Sequence, residues 1–277
     1  MPLYTADALI LRTYKLGEAD RIVVFLTRDR GKKRGVAKGA RRQRSKFAGA
    51  LEPLTEVQVA YFEKESRELV GLNYAEVVRS PLSLVGGPKG PPLRSGEDGR
   101  PNGDGGAGDR RGDASNHRGD VSNRRGDASN HSGDASNRRG APSGAPDQDA
   151  LGYVSYFAEL LDEWAQDADA DDRLYRLGAS MLDALAAGAP VEPLARYFEY
   201  WLLRLQGLYP ESRGTLSDGA MAFLTASRSA APDRVGDLPA ERRTLRELET
   251  VHRSLISMHL EKTLKSDRVL RDLRRTP

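Results

Sequence analysis

The strongest chemical signal in the sequence is a dense run of cationic side chains near its N-terminal end. Between Arg28 and Lys46, ten lysines and arginines stand against a single acid, Asp29, which gives a formal charge of +9. The whole chain has a net charge of +3, so the remainder sums to −6. Such a local excess of cations is typical of a surface that binds a phosphate backbone. A solvated loop that only favours solubility is the alternative.

This basic run is predicted to cover one strand and the loop that follows it. Cations in an exposed loop can all reach a ligand, whereas alternate strand residues point to opposite faces of the sheet, as at Lys33. The loop cations Arg41, Arg42, Arg44 and Lys46 are therefore the best candidates. The predicted nucleic-acid-binding residues are Lys32, Arg34, Lys38, Arg41, Arg42, Arg44, Lys46 and Phe47.

An aromatic ring beside such a run can stack on unpaired bases, which contributes roughly 1–3 kcal/mol per base. Phe47 is the preferred ring, because Arg44 and Lys46 beside it indicate an exposed loop. Other aromatic residues near the run could serve instead, and in a small barrel most rings fill the core. These others are Tyr14, Tyr61 and Phe62.

Residues for covalent or metal chemistry are scarce. The chain has no cysteine and four histidines, so disulfides, thiolate metal sites and cysteine nucleophiles are excluded. His252 and His259 are two helical turns apart, too far for a paired metal site. A group of aspartates between 167 and 172 favours a solvated acidic turn with helix capping over a magnesium site. We therefore predict no catalytic residue, no metal and no cofactor.

The N-terminal part reads as β-structure. Short apolar or alternating segments occur at 8–16, 21–27, 35–40, 54–63 and 68–78, separated by glycines or charged turns. In the fourth, Val57, Val59 and Tyr61 share one face. Five short strands in about 80 residues predict a small closed barrel of the OB-fold type over residues 1–85.

Residues 86–150 have a different composition. They hold 15 of the 28 glycines, no aromatic residue, and a seven-residue repeat from Arg111 to Arg138. The repeat lacks apolar positions for a coiled coil. Such a segment cannot bury enough apolar surface to offset the entropy of ordering it. We predict a disordered, low-complexity insertion, whose Arg-Gly-Asp triplets follow from the repeat itself.

Residues 151–277 read as an all-α domain. Apolar residues recur at helical spacing over 153–164, 174–185, 191–205 and 245–258, and Ser266 is the expected N-cap of a last short helix. The predicted fold is therefore an α+β multidomain chain: a five-stranded barrel, an insertion, and a helical domain.

A set of motif residues recurs along the first 53 positions of the chain. They are Gly17, Glu18, Asp20, Arg21, Thr27, Gly31, Ala37 to Arg41, Ser45, Ala50, Leu51 and Pro53. This pattern resembles the RecO family of bacterial recombination mediators. A Leu-Lys-Ser near the C-terminus, at Leu264 to Ser266, is similar to the family's closing helices. The resemblance covers roughly residues 1–85 and 150–277, and is most specific in the first of these.

The resemblance implies a function and a set of partners. It implies binding of single- and double-stranded DNA, annealing of complementary strands, and assistance to RecA loading on strands covered by single-strand-binding protein (SSB). The implied partners are RecR and the acidic C-terminal tail of SSB, with RecA indirectly. An acidic tail with an apolar end needs a basic rim beside an apolar groove. The candidates for that rim are Arg196 and Arg204, near Tyr197 and Leu203.

Two features depart from the family pattern. Many members carry a four-cysteine zinc hairpin after the central helix, but here only five residues separate Pro210 from Leu216. The hairpin is therefore predicted to be deleted, and no zinc is expected. The insertion at 86–150 is the second departure.

Two other classes of protein stay open on the residues alone. One is an RNA-binding OB-fold protein of translation or ribosome assembly, and the other is a nuclease or ligase accessory enzyme. The N-terminus lacks a secretory pattern and no apolar run is long enough to span a bilayer. A cytoplasmic, nucleoid-associated location is the expectation.

Overall fold

The computed structural model describes residues 2–64, 68–82, 148–209 and 216–273. The predicted disordered insertion falls almost entirely outside these ranges, and so do residues 211–215, where the zinc hairpin was predicted to be deleted. No helix among the described residues is both long and apolar enough to cross a membrane.

Five strands form a closed barrel in the order β1-β2-β3-β5-β4, which confirms the predicted five-stranded OB-fold architecture. Neighbouring strands are antiparallel except β3 and β5, which share a short parallel pairing. The strands are β1 (Leu3–Leu16), β2 (Asp20–Thr27), β3 (Gly31–Ala37), β4 (Glu56–Phe62) and β5 (Val70–Arg79).

The third strand begins four residues earlier than the sequence indicated. Its first half, Lys32–Arg34, is cationic and lacks the apolar alternation from which a strand is read. Backbone pairing with β2 nevertheless extends from Ala37 back to Gly31. Three of the ten cations in the basic run therefore lie on a strand whose side chains alternate between two faces.

The barrel interior is filled by alternate residues of its strands, among them Ile10, Phe25, Val57, Val59 and Tyr61. This confirms the shared face predicted for the fourth strand. On β1 and β2 the side chains on the outer face of the barrel are also apolar. These outer side chains pack against the helices. Leu9, Leu11, Val24 and Leu26 belong to this second cluster.

The C-terminal part is helical, as predicted. One α-helix and a 3-10 helix (Pro232–Asp237) were not expected, because neither segment shows a clear apolar period. The α-helices are α1 (Gln148–Trp164), α2 (Asp172–Ala186), α3 (Val191–Leu205), α4 (Asp218–Ser227), α5 (Arg242–Leu260) and α6 (Lys265–Leu273).

The barrel and the helices share a continuous apolar core. One close approach is at Gly178 of α2, where an added Cβ would lie 2.7 Å from side-chain atoms of both Leu9 and Leu161. Only glycine allows α2 to pack this closely against β1 and α1. The outer face of β1 and β2 is therefore a structural interface with the helices.

A carboxylate of α1, more than 100 residues earlier in the chain, binds the first turn of α6. The carboxylate of Glu159 on α1 accepts hydrogen bonds from the backbone N–H groups of Lys265 and Ser266, at 3.2 and 2.7 Å. Ser266 lies inside the first turn and donates its hydroxyl hydrogen to the same carboxylate, so its predicted role as N-cap is wrong. This carboxylate positions α6 against the barrel side of the helical part.

Candidate nucleic-acid interface

The basic run divides into two halves at Gly35. In the first half, every cation lies within 2.8 to 3.9 Å of a carboxylate. The pairs are Arg28 with Asp172, Arg30 with Asp29, Lys32 with Asp162 and Asp167, Lys33 with Glu63, and Arg34 with Asp167. These cations are already partly neutralised by the protein itself.

Most of these carboxylates belong to residues 162–172, here called the acidic segment, which connects α1 to α2 and carries six acids. Its backbone pairs with that of β3 at one position, Lys32 with Asp167. The N–H of Lys32 donates to the carbonyl of Gln166 at 3.1 Å, and the N–H of Ala168 donates to the carbonyl of Lys32 at 3.0 Å. The acidic segment therefore covers the part of β3 that β5 leaves unpaired.

Gly31 makes this close approach possible. Its φ is +66°, a conformation that side chains disfavour, and an added Cβ would lie 2.2 Å from the carbonyl oxygen of Asp169. Asp171 in the same segment accepts hydrogen bonds from the N–H groups of Arg173 and Leu174, which confirms the predicted helix capping. The predicted solvated turn is thus partly a contact between the barrel and the helices.

Two of the predicted binding residues, Lys32 and Arg34, have carboxylates of this segment as neighbours. Lys32 is largely buried, and its ammonium donates to the backbone carbonyl of Asp162 at 2.7 Å. It is a contact within the protein and not a free phosphate-binding group. Arg34 is exposed, and its closest carboxylate, that of Asp167, is 3.9 Å away.

The second half of the run is different. Residues 38–46, here called the basic loop, carry five exposed cations, and within the described part of the chain none of them is paired with an acid. They are Lys38, Arg41, Arg42, Arg44 and Lys46. The cations that the sequence predicted as the best candidates are therefore grouped on one solvent-facing loop.

Hydrogen bonds hold the basic loop against the turn between β1 and β2. The N–H of Arg41 donates to the carbonyl of Ala19, and its guanidinium to the carbonyl of Gly17, both at 2.9 Å. The N–H of Gly39 donates to the carboxylate of Asp20 at 2.8 Å. These bonds place the loop cations at the end of the barrel where the β1–β2 turn lies.

Phe47 follows the basic loop, and its ring does not face solvent. Only 2% of the residue is exposed, and it packs in the barrel core with Ala50 and Leu51. The prediction that Phe47 stacks on bases is therefore wrong: an aromatic residue among cations is here the anchor that holds the loop down. The ammonium of Lys46 lies 5.3 Å from the centre of its ring.

Among the other aromatic residues near the run, Tyr14 is the exposed one. It is 46% exposed, and its hydroxyl accepts a hydrogen bond from Arg12 at 3.3 Å. Tyr61 is buried in the barrel, and this burial raises the pKa of its hydroxyl to about 12. The sequence carried a signal for this difference, because Tyr61 shares a face with Val57 and Val59, whereas Tyr14 lies between Thr13 and Lys15.

The predicted receptor for an acidic peptide on α3 does not form. Arg196 is 4% exposed, and its guanidinium pairs with Glu199 at 2.9 Å. Tyr197 and Leu203 are buried as well, so no apolar groove opens beside Arg204, which is exposed. The assignment of Arg196 to a partner-binding rim is wrong, since the residue belongs to the core of the helical domain.

Glu199 is the centre of that buried polar network. It accepts a hydrogen bond from the hydroxyl of Tyr156 at 2.7 Å and contacts Nδ1 of His252 at 2.9 Å, while Nε2 of the same ring contacts Tyr209 at 3.2 Å. Burial lowers the pKa of His252, although Glu199 opposes this effect. Burial likewise raises the pKa of Tyr156. The network joins α1, α3 and α5.

In the described residues no group of three or more histidines, aspartates or glutamates is placed to hold a metal ion. What the described surface offers instead is a fixed loop of unpaired cations on a small barrel.

Family models agree with this architecture. The model for the N-terminal part of recombination protein O matches residues 1–81, and the model for its C-terminal part matches residues 145–214. This chain belongs to the RecO family. The two matches cover the barrel and the first helices of the helical part.

The chain is also similar to individual proteins named DNA repair protein RecO. The DNA repair protein RecO of Koribacter versatilis is 31% identical over 209 residues, which is 76% of this chain and 61% of that protein. RecO of Bifidobacterium adolescentis is 54% identical over 78 residues, or 28% of this chain and 31% of that protein. The matched part of this chain thus spans less than two thirds of either relative.

Proposed function

We propose that this RecO-family protein acts in DNA repair and recombination by binding DNA through the basic loop. The observation that carries the proposal is the group of five exposed cations without acidic partners in the described structure. Phosphates attract such cations and release condensed counterions on binding. The names of the relatives, DNA repair protein RecO, favour DNA as the nucleic acid.

The chemistry of the basic loop suits the phosphate backbone and not particular bases. Lysine and arginine contacts to phosphates carry no sequence information. The same loop can therefore take single- or double-stranded DNA. A protein that holds two strands in this way is suited to annealing complementary strands, and family membership supports RecA loading on SSB-coated strands as the wider role.

RecR and the acidic C-terminal tail of SSB are the proposed protein partners, on the basis of family membership. Because Arg196 is buried, its guanidinium is not offered as a contact for the SSB tail. Arg204 remains the accessible candidate on α3; its guanidinium donates to Tyr200 at 2.8 Å and lies 5.4 Å from the ring centre of Trp201.

The decisive experiment is annealing of two complementary oligonucleotides coated with SSB, with a variant in which four loop cations are alanine. The variant changes Arg41, Arg42, Arg44 and Lys46. A control with the same charge change removes four exposed arginines of the helical part: Arg173, Arg234, Arg242 and Arg243. We expect the loop variant to lose annealing and the control to keep it.

Salt dependence tests the same proposal quantitatively. Each single-strand phosphate contact adds about −0.7 to the log–log slope of affinity against salt, so about four contacts give a slope near −3. Tripling the salt should then weaken binding about thirtyfold. A loop variant with unchanged affinity and slope would contradict the proposal. Competition between DNA and RNA of the same sequence decides between DNA and the alternative RNA-binding class.

A further inference from the structure

A second surface near the basic loop lies at the junction of the barrel and α6. A groove of about 320 Å³ opens there between β1, the segment before β4, α1 and α6. Apolar side chains of Leu11, Pro53 and Val269 line it, together with Thr13. Val269 is 53% exposed, which is unusual for a valine on a packed helix.

Tyr14 follows the groove residues Leu11, Arg12 and Thr13 along β1, in the part of the strand that comes after an irregularity. The register between β1 and β2 shifts between Ile10 and Arg12, at the place where the strand leaves the apolar core. Arg12 then turns toward α1, where its guanidinium pairs with Glu159 at 3.4 Å and with Asp162 at 3.2 Å. The same guanidinium donates to the hydroxyl of Tyr14, so the exposed ring is held on the helical side of the barrel.

The exposed face of α6 contributes two cations. Lys265 and Arg268 share this face with Val269, and in the described residues neither has an acidic partner. Lys262 and Arg271, by contrast, are paired with Glu163 and Asp267. Among the neighbouring acids, Glu159 accepts hydrogen bonds from the N–H groups of Lys265 and Ser266 and pairs with Arg12, while Asp272 comes one helical turn after Arg268.

The basic loop and the groove are both connected to the second half of β1. The loop is hydrogen-bonded to the β1–β2 turn, at Ala19 and Gly17, and Tyr14 lies on β1 just before that turn. Pro53 is in the same connection between β3 and β4 as the loop cations. The loop cations, the exposed ring of Tyr14 and the groove that Lys265 lines are thus connected through the second half of β1 and its turn.

We propose that this groove binds single-stranded DNA that leaves the basic loop. A base stacks on Tyr14, and Lys265 and Arg268 contact the phosphates that follow it. The occupant is single-stranded because stacking on a side chain requires an unpaired base, and the bases of a duplex are already stacked on one another. The inference rests on the proposed function, since the strand reaches the groove from the basic loop.

Two variants of Tyr14 test the stacking contact. Y14A should weaken binding of a single-stranded oligonucleotide by about fivefold to a hundredfold, the range for loss of one stacked base. Y14F keeps the ring and should bind within about twofold of the unchanged protein. Binding of a blunt duplex should be unaffected by either. An oligonucleotide carrying 5-bromodeoxyuridine should crosslink to Tyr14 on irradiation.

The phosphate contacts are tested by K265A/R268A against the control R242A/R243A, which removes the same charge from exposed positions on α5. Only the first variant should lower the magnitude of the salt slope, by about 1.4 for two single-strand contacts. All variants should keep their melting temperature, because the changed side chains are exposed.

The outcomes separate this inference from the proposed function. If Y14A and K265A/R268A bind single strands like the unchanged protein while the basic-loop variant does not, the groove proposal is overturned and the proposed function stands. If those variants instead lose only the binding of an SSB tail peptide, the groove is a protein site and the proposal is equally overturned. A basic-loop variant that binds normally would overturn the proposed function itself.

Discussion

The acidic segment should restrain DNA binding, because it neutralises cations that adjoin the basic loop. Arg28 pairs with Asp172 at 2.8 Å and Arg34 lies 3.9 Å from Asp167. The hydrogen bond from Arg28 lowers the pKa of Asp172, so this carboxylate is charged at neutral pH. Replacing both acids by asparagine, in D167N/D172N, keeps the side-chain size and frees both arginines.

The magnitude follows from counterion release. Two additional single-strand phosphate contacts would steepen the log–log salt slope by about 1.4. Relative to 1 M salt, where counterion release contributes nothing, this corresponds to a gain of up to about 25-fold in affinity at 0.1 M. The melting temperature should change little, because exposed ion pairs contribute little to folding and the cap formed by Asp171 is untouched.

The measurement is fluorescence anisotropy of a labelled single strand over a series of salt concentrations. A matched control, D233N/D237N, makes the same change in net charge on the 3-10 helix, where both acids are exposed. The control allows for long-range attraction, which also falls with salt. If the two double variants gain equally in affinity and slope, the reasoning about the acidic segment is refuted.

Three other predictions concern stability. F47A should lower the free energy of unfolding by about 3–5 kcal/mol in urea titration, as for other buried rings, whereas an exposed stacking residue would leave it unchanged. G31A should lower the melting temperature, since its Cβ would clash with the backbone of Asp169; an unchanged value would contradict the close approach. Burial lowers the pKa of His252 in the folded protein, whereas in the unfolded chain this histidine has its ordinary pKa near 6.5. Below that pH the unfolded chain binds a proton at His252 more readily than the folded protein does. Stability should therefore fall as pH drops below about 6.5, and a smaller fall is expected for H252Q; equal pH profiles would rule out this contribution.

Local patterns in the sequence predicted most of the architecture. Alternation along Val57, Val59 and Tyr61 and the helical spacing from Tyr153 to Trp164 each depend on one face being buried, and such a pattern can be read within a single element. The start of β3 was missed because its residues are cationic: they are stabilised by backbone pairing and by acids far along the chain. α4 was missed because its sequence is short and rich in small residues.

The candidate site was harder to predict, because exposure and pairing depend on contacts distant in sequence. Arg44 and Phe47 are three residues apart, yet one is exposed and the other is in the barrel core. An arginine on an amphipathic helix is expected to be exposed, but Arg196 is buried. Its partner Glu199 belongs to a network that residues of α1 and α5 complete. A count of charges also carries no information on pairing, so it could not show that the cations before Gly35 are paired with acids distant in sequence.

The division of the basic run has a physical origin in the contact between the barrel and the helices. β1 and β2 present apolar residues to the helices, and β3, next to them, presents cations that meet the acidic segment. Those cations form contacts that hold the barrel against the helices. The basic loop extends beyond this contact, and buried side chains at Phe47 and Leu51 hold it in place. In the proposed function, packing and phosphate binding use separate residues of one run, so the acids at 167 and 172 can be neutralised while Lys32 and Asp162 still join the barrel to the helices. DNA affinity can therefore be changed without unfolding the protein.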